Sequence, residues 1–379
     1  MIRISEQFDS GNIELLSAES ASNIQLKIRK DNASDFYQWF HFRLEAEPGQ
    51  RCSLSITNCA ESAYPSGWEN YQVCVSYDRQ DWFRTPTTFA EGELKFELEM
   101  QQSSVYFAYF APYSHERHLD LIASAEADKR VVNETLGLSL DGHAMHLLKI
   151  CDTPKPKNTV WMIARQHPGE TMAEWFVEGF LQALLDEDNP LATQLLRTTS
   201  FYLVPNMNPD GSIRGNLRTN SAGANLNREW QAPSMGTSPE VFLVREKMMQ
   251  VGGDMFLDIH GDEALPYNFV AGSEGTPNFN EDILQQQHDF TAAYQAISPD
   301  FQTKFGYPVS KAGEADLRIA TNWLGNHFKT LSFTLEMPFK DNDNLPNSLT
   351  GWSPERSAQL GADMLFPISQ TLAKNSNKG

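Results

Sequence analysis

Two segments of the sequence carry residue types that bind divalent metals. In the run RQHPGE, His167 and Glu170 stand three positions apart at the predicted start of a helix, so their side chains can converge on one ion. An H-x-x-E pair alone is also explained by a helix-capping glutamate beside a surface histidine. However, His260 ends a predicted buried strand further along the chain and can supply a third ligand. Three protein ligands with a fourth position open to water are typical of a catalytic zinc site.

A separate glutamate is suited to activate water at such a site. Glu336 ends the strand-like run 331–336, which is stopped by Pro338. A carboxylate in that position can act as a general base aimed into the same crevice. Taken alone, a glutamate at a strand end more often has a structural role.

Three further residues can bind carboxylates or stabilise negative oxygen. Arg228 beside Asn227 can hold a free carboxylate in a planar, charge-assisted fork. Arg218 can stabilise the negative oxygen that develops on an attacked carbonyl. Each arginine taken singly is also explained as a surface charge. Together with the metal ligands, they predict a peptidase that acts at a C-terminus.

Composition excludes several classes of partner. The 379 residues include 49 acids and 30 bases, and the net charge of −19 disfavours nucleic acid and anionic membrane surfaces. No run of about 18 apolar residues occurs, and the start lacks the features of a secretory signal, so we expect a soluble cytoplasmic protein. The four cysteines are scattered without a C-x-x-C pair, which predicts reduced thiols.

The pattern of the chain changes near residue 122. Residues 1–122 show short alternating runs separated by turn clusters such as EPGQ and PSGW, which predicts an antiparallel β-sandwich domain. Residues 123–379 alternate strands with longer helical patterns, which predicts an α/β catalytic domain. Its predicted strands end beside the candidate site residues, where open α/β sheets place ligands. The predicted strands of the two domains are 24–28, 39–44, 52–57, 72–77, 95–98 and 105–110, then 160–165, 201–205, 255–260 and 331–336.

Taken in order, the motifs HPGET, NPDG, GNLR, NLNREW, DIHGDE and SFTLEMPF resemble those of the zinc metallocarboxypeptidases of the carboxypeptidase A clan, and of their cytosolic carboxypeptidase branch in a short bacterial form. YQWFHFRL and APYS resemble that branch's N-terminal domain. The resemblance implies a mixed eight-stranded sheet flanked by helices, preceded by a β-sandwich, and one zinc ion per chain. It implies that the ligands are His167, Glu170 and His260, the base Glu336, the oxyanion-side arginine Arg218, and the carboxylate-binding pair Asn227 and Arg228.

The chain departs from the family pattern at one position and leaves others open. Asn225 stands where the family commonly has an aspartate that orients the first histidine ligand, so we expect weaker zinc binding. Tyr307 is the nearest candidate for the family's substrate-capping tyrosine. The branch removes glutamates from acidic tails, which implies a basic side-chain pocket. Lys311 and Arg318 precede the catalytic strand where that pocket is expected, although both are also explained as solvated loop charges.

The predicted activity is therefore deglutamylase-like: hydrolysis of a C-terminal residue, glutamate or another acidic one, from a peptide or protein tail by water that Glu336 activates at zinc. A deacylase of the succinylglutamate desuccinylase and aspartoacylase type shares the ligand pattern, but the NPDG segment and the leading sandwich favour the peptidase. A non-catalytic binding protein is disfavoured because ligands, base and arginines are all present. The sequence leaves the oligomeric state open, a homo-oligomer included.

Overall fold

The computed structural model describes residues 2–376, and its first third is rich in β-strands. These strands are β1 (Arg3–Ser5), β2 (Glu14–Ser20), β3 (Asn23–Lys27), β4 (His41–Glu45), β5 (Arg51–Ile56), β6 (Val73–Ser76), β7 (Phe83–Thr85), β8 (Thr87–Ala90), β9 (Glu93–Glu99) and β10 (Ser104–Ala108). They form two five-stranded sheets, with orders β1-β4-β10-β6-β7 and β2-β3-β5-β9-β8. The predicted sandwich class is confirmed. The prediction of a purely antiparallel arrangement is wrong at one pair, because β3 and β5 run parallel.

Alternation of apolar and polar residues made the buried strands predictable. Along β5, Cys52, Leu54 and Ile56 are buried while the residues between them are half-buried. Strand β2 was not predicted, because none of its residues is fully buried and its sequence carries no period of two. A polar edge strand leaves little signal in the sequence.

The second part of the chain is built on one mixed sheet. Its strands are β11 (Val131–Leu138), β12 (Ala144–Ile150), β13 (Asn158–Ala164), β14 (Thr199–Val204), β15 (Met255–Asp262), β16 (Phe269–Ala271) and β17 (Leu331–Pro338). Their order is β11-β12-β14-β13-β15-β17-β16. The four central strands are parallel, and antiparallel strands complete the sheet on both sides. The expected mixed α/β sheet is confirmed, but within residues 2–376 it has seven strands rather than eight.

Helices cover both faces of this sheet. They are α1 (His115–Glu126), α2 (Met172–Leu185), α3 (Pro190–Leu196), α4 (Pro209–Arg214), α5 (Pro239–Val251), α6 (Glu281–Ile297), α7 (Ala320–Phe328), α8 (Pro354–Asp363) and α9 (Leu365–Ser376). Along β13, Val160 and Met162 face a core shared with α2, α6, α8 and α9, while Trp161 and Ile163 face a second core shared with α5 and α7. Buried on both faces, such strands read as continuous apolar runs. Within residues 2–376, no helix is both long and apolar enough to cross a membrane.

The sandwich packs directly on the α/β part. Tyr109, just after β10, stacks on Phe339, just after β17, with ring centroids 4.4 Å apart. Buried Arg84 of β7 donates to the carbonyls of Phe339 at 2.7 Å and Thr350 at 3.1 Å. Helix α1 spans the predicted boundary at residue 122, whose position stays a prediction. The N-terminal sandwich therefore contacts the segment that follows the end of β17.

The sheet brings three candidate site residues to one edge. His167 follows β13, His260 lies near the end of β15, and Glu336 lies directly opposite His260 near the end of β17. The carboxyl ends of parallel strands meet at the same edge of a sheet, which is where α/β proteins bind ligands. The order of β13, β15 and β17 thus explains how residues far apart in sequence become neighbours.

Candidate active site and metal centre

Buried Arg165 shapes the loop that follows β13. Its backbone adopts the left-handed conformation, with φ of 59°, which is uncommon for a residue with a side chain. Its guanidinium donates to the carbonyls of Pro168 and Tyr113, at 2.9 Å each, and forms an ion pair with Glu174 of α2. These contacts tie both ends of the loop to the protein interior. The loop therefore presents its side chains in a fixed orientation.

The three candidate metal ligands meet at one point. The Nδ1 atom of His167 lies 2.7 Å from a carboxylate oxygen of Glu170, and the Nδ1 atom of His260 lies 2.8 Å from the other oxygen. The two Nδ1 atoms are 3.2 Å apart. All three side chains are buried, with exposures of 5% or less. Among residues 2–376, this is the group of histidine, cysteine and carboxylate side chains whose donor atoms are close enough to share a metal ion.

The donor set and its geometry fit zinc. Donor atoms about 2.0–2.2 Å from one ion at tetrahedral angles lie roughly 3.3–3.6 Å from each other. The two Nδ1 atoms, 3.2 Å apart, are close to that spacing, whereas the 2.7 and 2.8 Å separations from the Glu170 oxygens are hydrogen-bond distances. Two imidazoles and one carboxylate are also the ligand types that zinc takes in metallopeptidases. Burial and the positive charge of Arg218 lower the pKa of His167 to about 4, so this imidazole is neutral near pH 7 and free to bind a metal.

The outer nitrogen of each histidine has a different partner. His167 donates from Nε2 to the amide oxygen of Asn225 at 3.1 Å. His260 directs Nε2 to the carboxylate of Asp258 at 2.9 Å. Burial alone would lower the pKa of His260, but the negative charges of Asp258 and Glu170 raise it well above its ordinary value. His167 therefore has the uncharged partner expected at Asn225, whereas His260 has a carboxylate partner, Asp258.

Asp258 belongs to a buried network that sequence reasoning missed. Gln166 donates to Asp258 at 2.6 Å, and the indole N–H of Trp230 donates to Gln166 at 2.8 Å. The signal was present, because Asp258 precedes His260 by two positions on a strand, and alternate residues share a face. Such contacts fix the ring orientation of a ligating histidine and raise its basicity.

Glu336 lies beside the ligand cluster in a cavity of about 460 Å³. It is 6% exposed, and its Oε2 atom has no hydrogen-bond partner within residues 2–376. Burial raises the pKa of Glu336 well above its usual value, and the charges of Glu170, Asp262 and Glu263 act in the same direction while His260 opposes them. A buried carboxylate with a free oxygen and a raised proton affinity is suited to proton transfer.

The same cavity contains the arginine and amide residues singled out in the sequence. Arg218, Asn227 and Arg228 all line it. The amide oxygen of Asn227 accepts from the backbone N–H of Ala320 at 2.9 Å, so its NH₂ group is the part left for a ligand. Burial, and then the charge of Arg218, lower the pKa of Arg228. The structure therefore brings two guanidinium groups and an amide into the cavity that His167 and Glu170 also line.

Tyr307 also lines the cavity. Its hydroxyl donates to Asp262 at 2.6 Å, and the residue is 44% exposed. It lies in the irregular segment between α6 and α7. A role as a substrate-capping tyrosine stays a prediction.

Lys311 and Arg318 are not among the residues that line this cavity, and their place in a basic pocket stays a prediction. Arg318 is paired with Asp316 at 2.8 Å and its side chain is 59% exposed. Lys311 is exposed, in a loop whose backbone is held by the carbonyl of Gly275. The charge of Arg318 is therefore paired with Asp316, and the side chain of Lys311 is exposed to solvent.

Comparisons with known proteins agree with this architecture. The family model described as cytosolic carboxypeptidase N-terminal domain matches residues 4–110, and the one described as zinc carboxypeptidase matches residues 116–359. The chain therefore belongs to the zinc carboxypeptidase family and is a metallocarboxypeptidase with an N-terminal domain of the cytosolic carboxypeptidase type.

Several relatives extend over most of the chain. The crystal structure of a metallo-carboxypeptidase from Burkholderia cenocepacia is 49% identical, covers 99% of this chain and 100% of its own, and has a TM-score of 0.97. A metallo-carboxypeptidase from Pseudomonas aeruginosa, solved with (2-guanidinoethylmercapto)succinic acid, is 43% identical, covers 98% of this chain and 99% of its own, and also has a TM-score of 0.97. Human cytosolic carboxypeptidase 1 is 26% identical over 72% of this chain. The matched part is only 26% of that longer protein.

Proposed function

We propose that this protein is a zinc carboxypeptidase in which His167, Glu170 and His260 hold the metal and Glu336 is the general base. The observation that carries the proposal is the convergence of three donor atoms next to a buried, partly unpaired glutamate in one cavity. Zinc, when bound, lowers the pKa of a coordinated water to about 7 and stabilises negative charge on oxygen. The remaining chemistry falls to side chains of this chain.

Each cavity residue has a distinct task in this proposal. Arg228 and the amide NH₂ of Asn227 bind the substrate's terminal carboxylate, which sets the last peptide bond in register with the metal ligands. Glu336 takes a proton from the attacking water and delivers it to the nitrogen of the departing residue. Half-buried Arg218, at the cavity wall, donates to the carbonyl oxygen as it becomes negative.

The test uses the purified, zinc-loaded protein and matched peptides. We expect free amino acid to be released from peptides with a free C-terminus and not from the same peptides with a C-terminal amide, because the amide cannot bind Arg228 as a carboxylate does. Absence of release across a panel of varied C-terminal residues would overturn the proposal. Release of acetate from N-acetyl-aspartate, without peptide cleavage, would instead indicate a deacylase.

A preference for acidic C-terminal residues is a finer proposal. It is supported by the similarity to cytosolic carboxypeptidases and by Arg218 and Arg228, the cations of the cavity. Thr321 and Thr334 also line the cavity, and their hydroxyls are 2.7 Å apart. The comparison of kcat/KM for otherwise identical peptides ending in glutamate, alanine and lysine decides the matter. The acidic proposal fails if alanine or lysine is released at least as efficiently as glutamate.

The proposed setting is a cytoplasmic one, with peptide or protein tails as partners. The similarity to proteins named cytosolic carboxypeptidases supports the location. Homo-oligomer formation stays a prediction that sedimentation of the purified protein checks.

A further inference from the structure

The N-terminal domain reaches the active cavity and contacts Arg218. Tyr64, between β5 and β6, lines the cavity together with His167 and Glu170. The guanidinium carbon of Arg218 lies 5.3 Å from the ring centroid of Tyr64 and 5.6 Å from that of Phe36. Both aromatic residues belong to the sandwich, whereas Arg218 belongs to the catalytic domain. The proposed oxyanion-side arginine is therefore packed against two rings from the other domain.

A buried carboxylate from the same domain holds the backbone that carries Arg218. Asp31 is 3% exposed. Its oxygens accept hydrogen bonds from three successive backbone N–H groups, those of Leu217 at 2.6 Å, Arg218 at 2.8 Å and Thr219 at 2.9 Å. The hydroxyl of Thr219 donates to it as well, at 3.0 Å. A single carboxylate thus fixes three consecutive residues centred on the arginine.

The position of Asp31 is itself fixed. Its backbone N–H donates to the carbonyl of Phe36 at 2.8 Å, which closes the loop that also carries the Phe36 ring. The next residue, Asn32, accepts a hydrogen bond from the amide of Asn216 at 2.7 Å. Burying a carboxylate is costly unless its oxygens are satisfied. Here, the hydrogen bonds that satisfy Asp31 come from the segment that presents Arg218.

From these contacts we infer that Asp31 and Tyr64 are positioning residues, through which the N-terminal domain holds the Arg218 guanidinium at the reacting carbonyl. This inference rests on the proposed carboxypeptidase function. A guanidinium on a long, flexible side chain stabilises a transition state fully only when it is already in place. The two contacts divide that task, since Asp31 fixes the backbone of Arg218 and Tyr64 restricts the side chain.

The experiment measures kcat, KM, zinc content and melting temperature for variants of the full chain. We expect Asp31→Asn to lower kcat tenfold to hundredfold with a smaller change in KM, because one carboxylate oxygen is replaced by an NH₂ group that faces backbone N–H donors. Thr219→Val removes one contact to Asp31 and should lower kcat severalfold. Tyr64→Leu should do likewise, while Tyr64→Phe, which keeps the ring, should restore most of the activity.

A double-mutant cycle distinguishes positioning from general stabilisation of the fold. If Asp31 acts through Arg218, Asp31→Asn should change kcat less than twofold once Arg218→Ala is present. Asp35→Asn, at an exposed aspartate of the same loop, is the matched control and should leave kcat unchanged. If the Asp31 variant fails to fold, the Thr219 and Tyr64 variants decide.

Two outcomes overturn the inference. One is a kcat in Asp31→Asn, or in both Thr219→Val and Tyr64→Leu, within twofold of the unmodified protein. The other is an undiminished effect of Asp31→Asn when Arg218 is already alanine. A protein that is inactive before any substitution would instead refute the proposed function, so the two failures are distinguishable.

Discussion

Two buried glutamates stand one helical turn apart near the start of α2, and each contacts a histidine. Glu170 lies 2.8 Å from His260, and Glu174 lies 2.8 Å from His118. Glu170 is 2% exposed and Glu174 is fully buried. Residue types, burial and contact distances are thus nearly the same at the two positions.

The cations that balance the two carboxylates differ. Glu174 forms an ion pair with the guanidinium of Arg165 and accepts from the amide of Asn206 at 3.1 Å. A guanidinium stays charged at any ordinary pH, so this cluster is complete as it stands. Glu170 has two imidazoles and the backbone N–H of Gly261 instead, and it borders the cavity. The Glu174 cluster therefore stabilises the fold, while the Glu170 cluster is suited to take up a metal cation.

The largest effect is expected from Glu336→Gln in the cavity. The amide cannot accept the proton of the attacking water, so turnover should fall by about a thousandfold or more, within the range of general acid–base catalysis. Zinc content, measured by elemental analysis, and melting temperature should stay unchanged. Turnover near that of the unmodified protein in the zinc-loaded variant would refute the role of Glu336.

The next largest effect is a loss of stability in the Glu174 cluster. Glu174→Gln keeps the shape of the side chain but leaves buried Arg165 without its ion-pair partner, so the free energy of unfolding should fall by about 3–5 kcal/mol. Urea titration measures the change. Glu178→Gln, on the same helix, breaks a pair with Arg117 whose side chains are 17% and 35% exposed, and should cost about 1 kcal/mol or less. Equal losses in the two variants would contradict the distinction between the clusters.

The sequence predicted the Glu170 cluster better than the Glu174 cluster. His167, Glu170, His260 and Glu336 follow apolar runs whose ends are readable, so their meeting at one sheet edge could be expected. The Glu174 cluster is not visible in this way, because its Arg165 partner reaches back from the loop in a left-handed backbone conformation. No local sequence pattern predicts the contact between Arg165 and Glu174.

Contacts between the two domains were also beyond sequence reasoning. Asp31 meets the backbone of residues 217–219 only because the sandwich docks beside the end of β17, and neither segment carries a periodic signal. The orientation of the predicted pocket residues is also not fixed by the sequence. Lys311 and Arg318 stand at the expected sequence positions, but an irregular loop does not fix the direction of its side chains.

The network behind His260 gives a smaller, measurable effect on metal binding. Asp258→Asn removes the carboxylate that His260 contacts, so zinc affinity should fall tenfold to hundredfold. Competition with a chromophoric chelator measures the dissociation constant without reference to activity. Asp254→Asn, at an exposed aspartate just before β15, is the control and should leave affinity unchanged. An Asp258 variant with unaltered affinity would show that His260 is oriented by other contacts.

A third buried carboxylate, Glu240, sharpens the comparison because it forms no ion pair within residues 2–376. The oxygens of Glu240 accept from the amide of Asn220 at 3.3 and 3.1 Å. Burial raises the pKa of Glu240 from 4.5 to about 7. The folded protein therefore holds a proton that the unfolded chain releases. The stability that this proton gives is largest at low pH and is lost as pH rises to about 7 and beyond.

Replacing Glu240 should remove this pH dependence. Between pH 6 and pH 8, the unmodified protein should lose about 1 kcal/mol of unfolding free energy relative to Glu240→Gln, since the amide does not titrate. Urea titrations of both proteins at the two pH values measure the difference, and shared titrations elsewhere cancel. Parallel pH profiles would mean that Glu240 is ionised at pH 6 despite its burial. In that case, burial without a cation would not be enough to keep a carboxylate protonated in this fold. The guanidinium of Arg165 would then not be needed to keep buried Glu174 ionised.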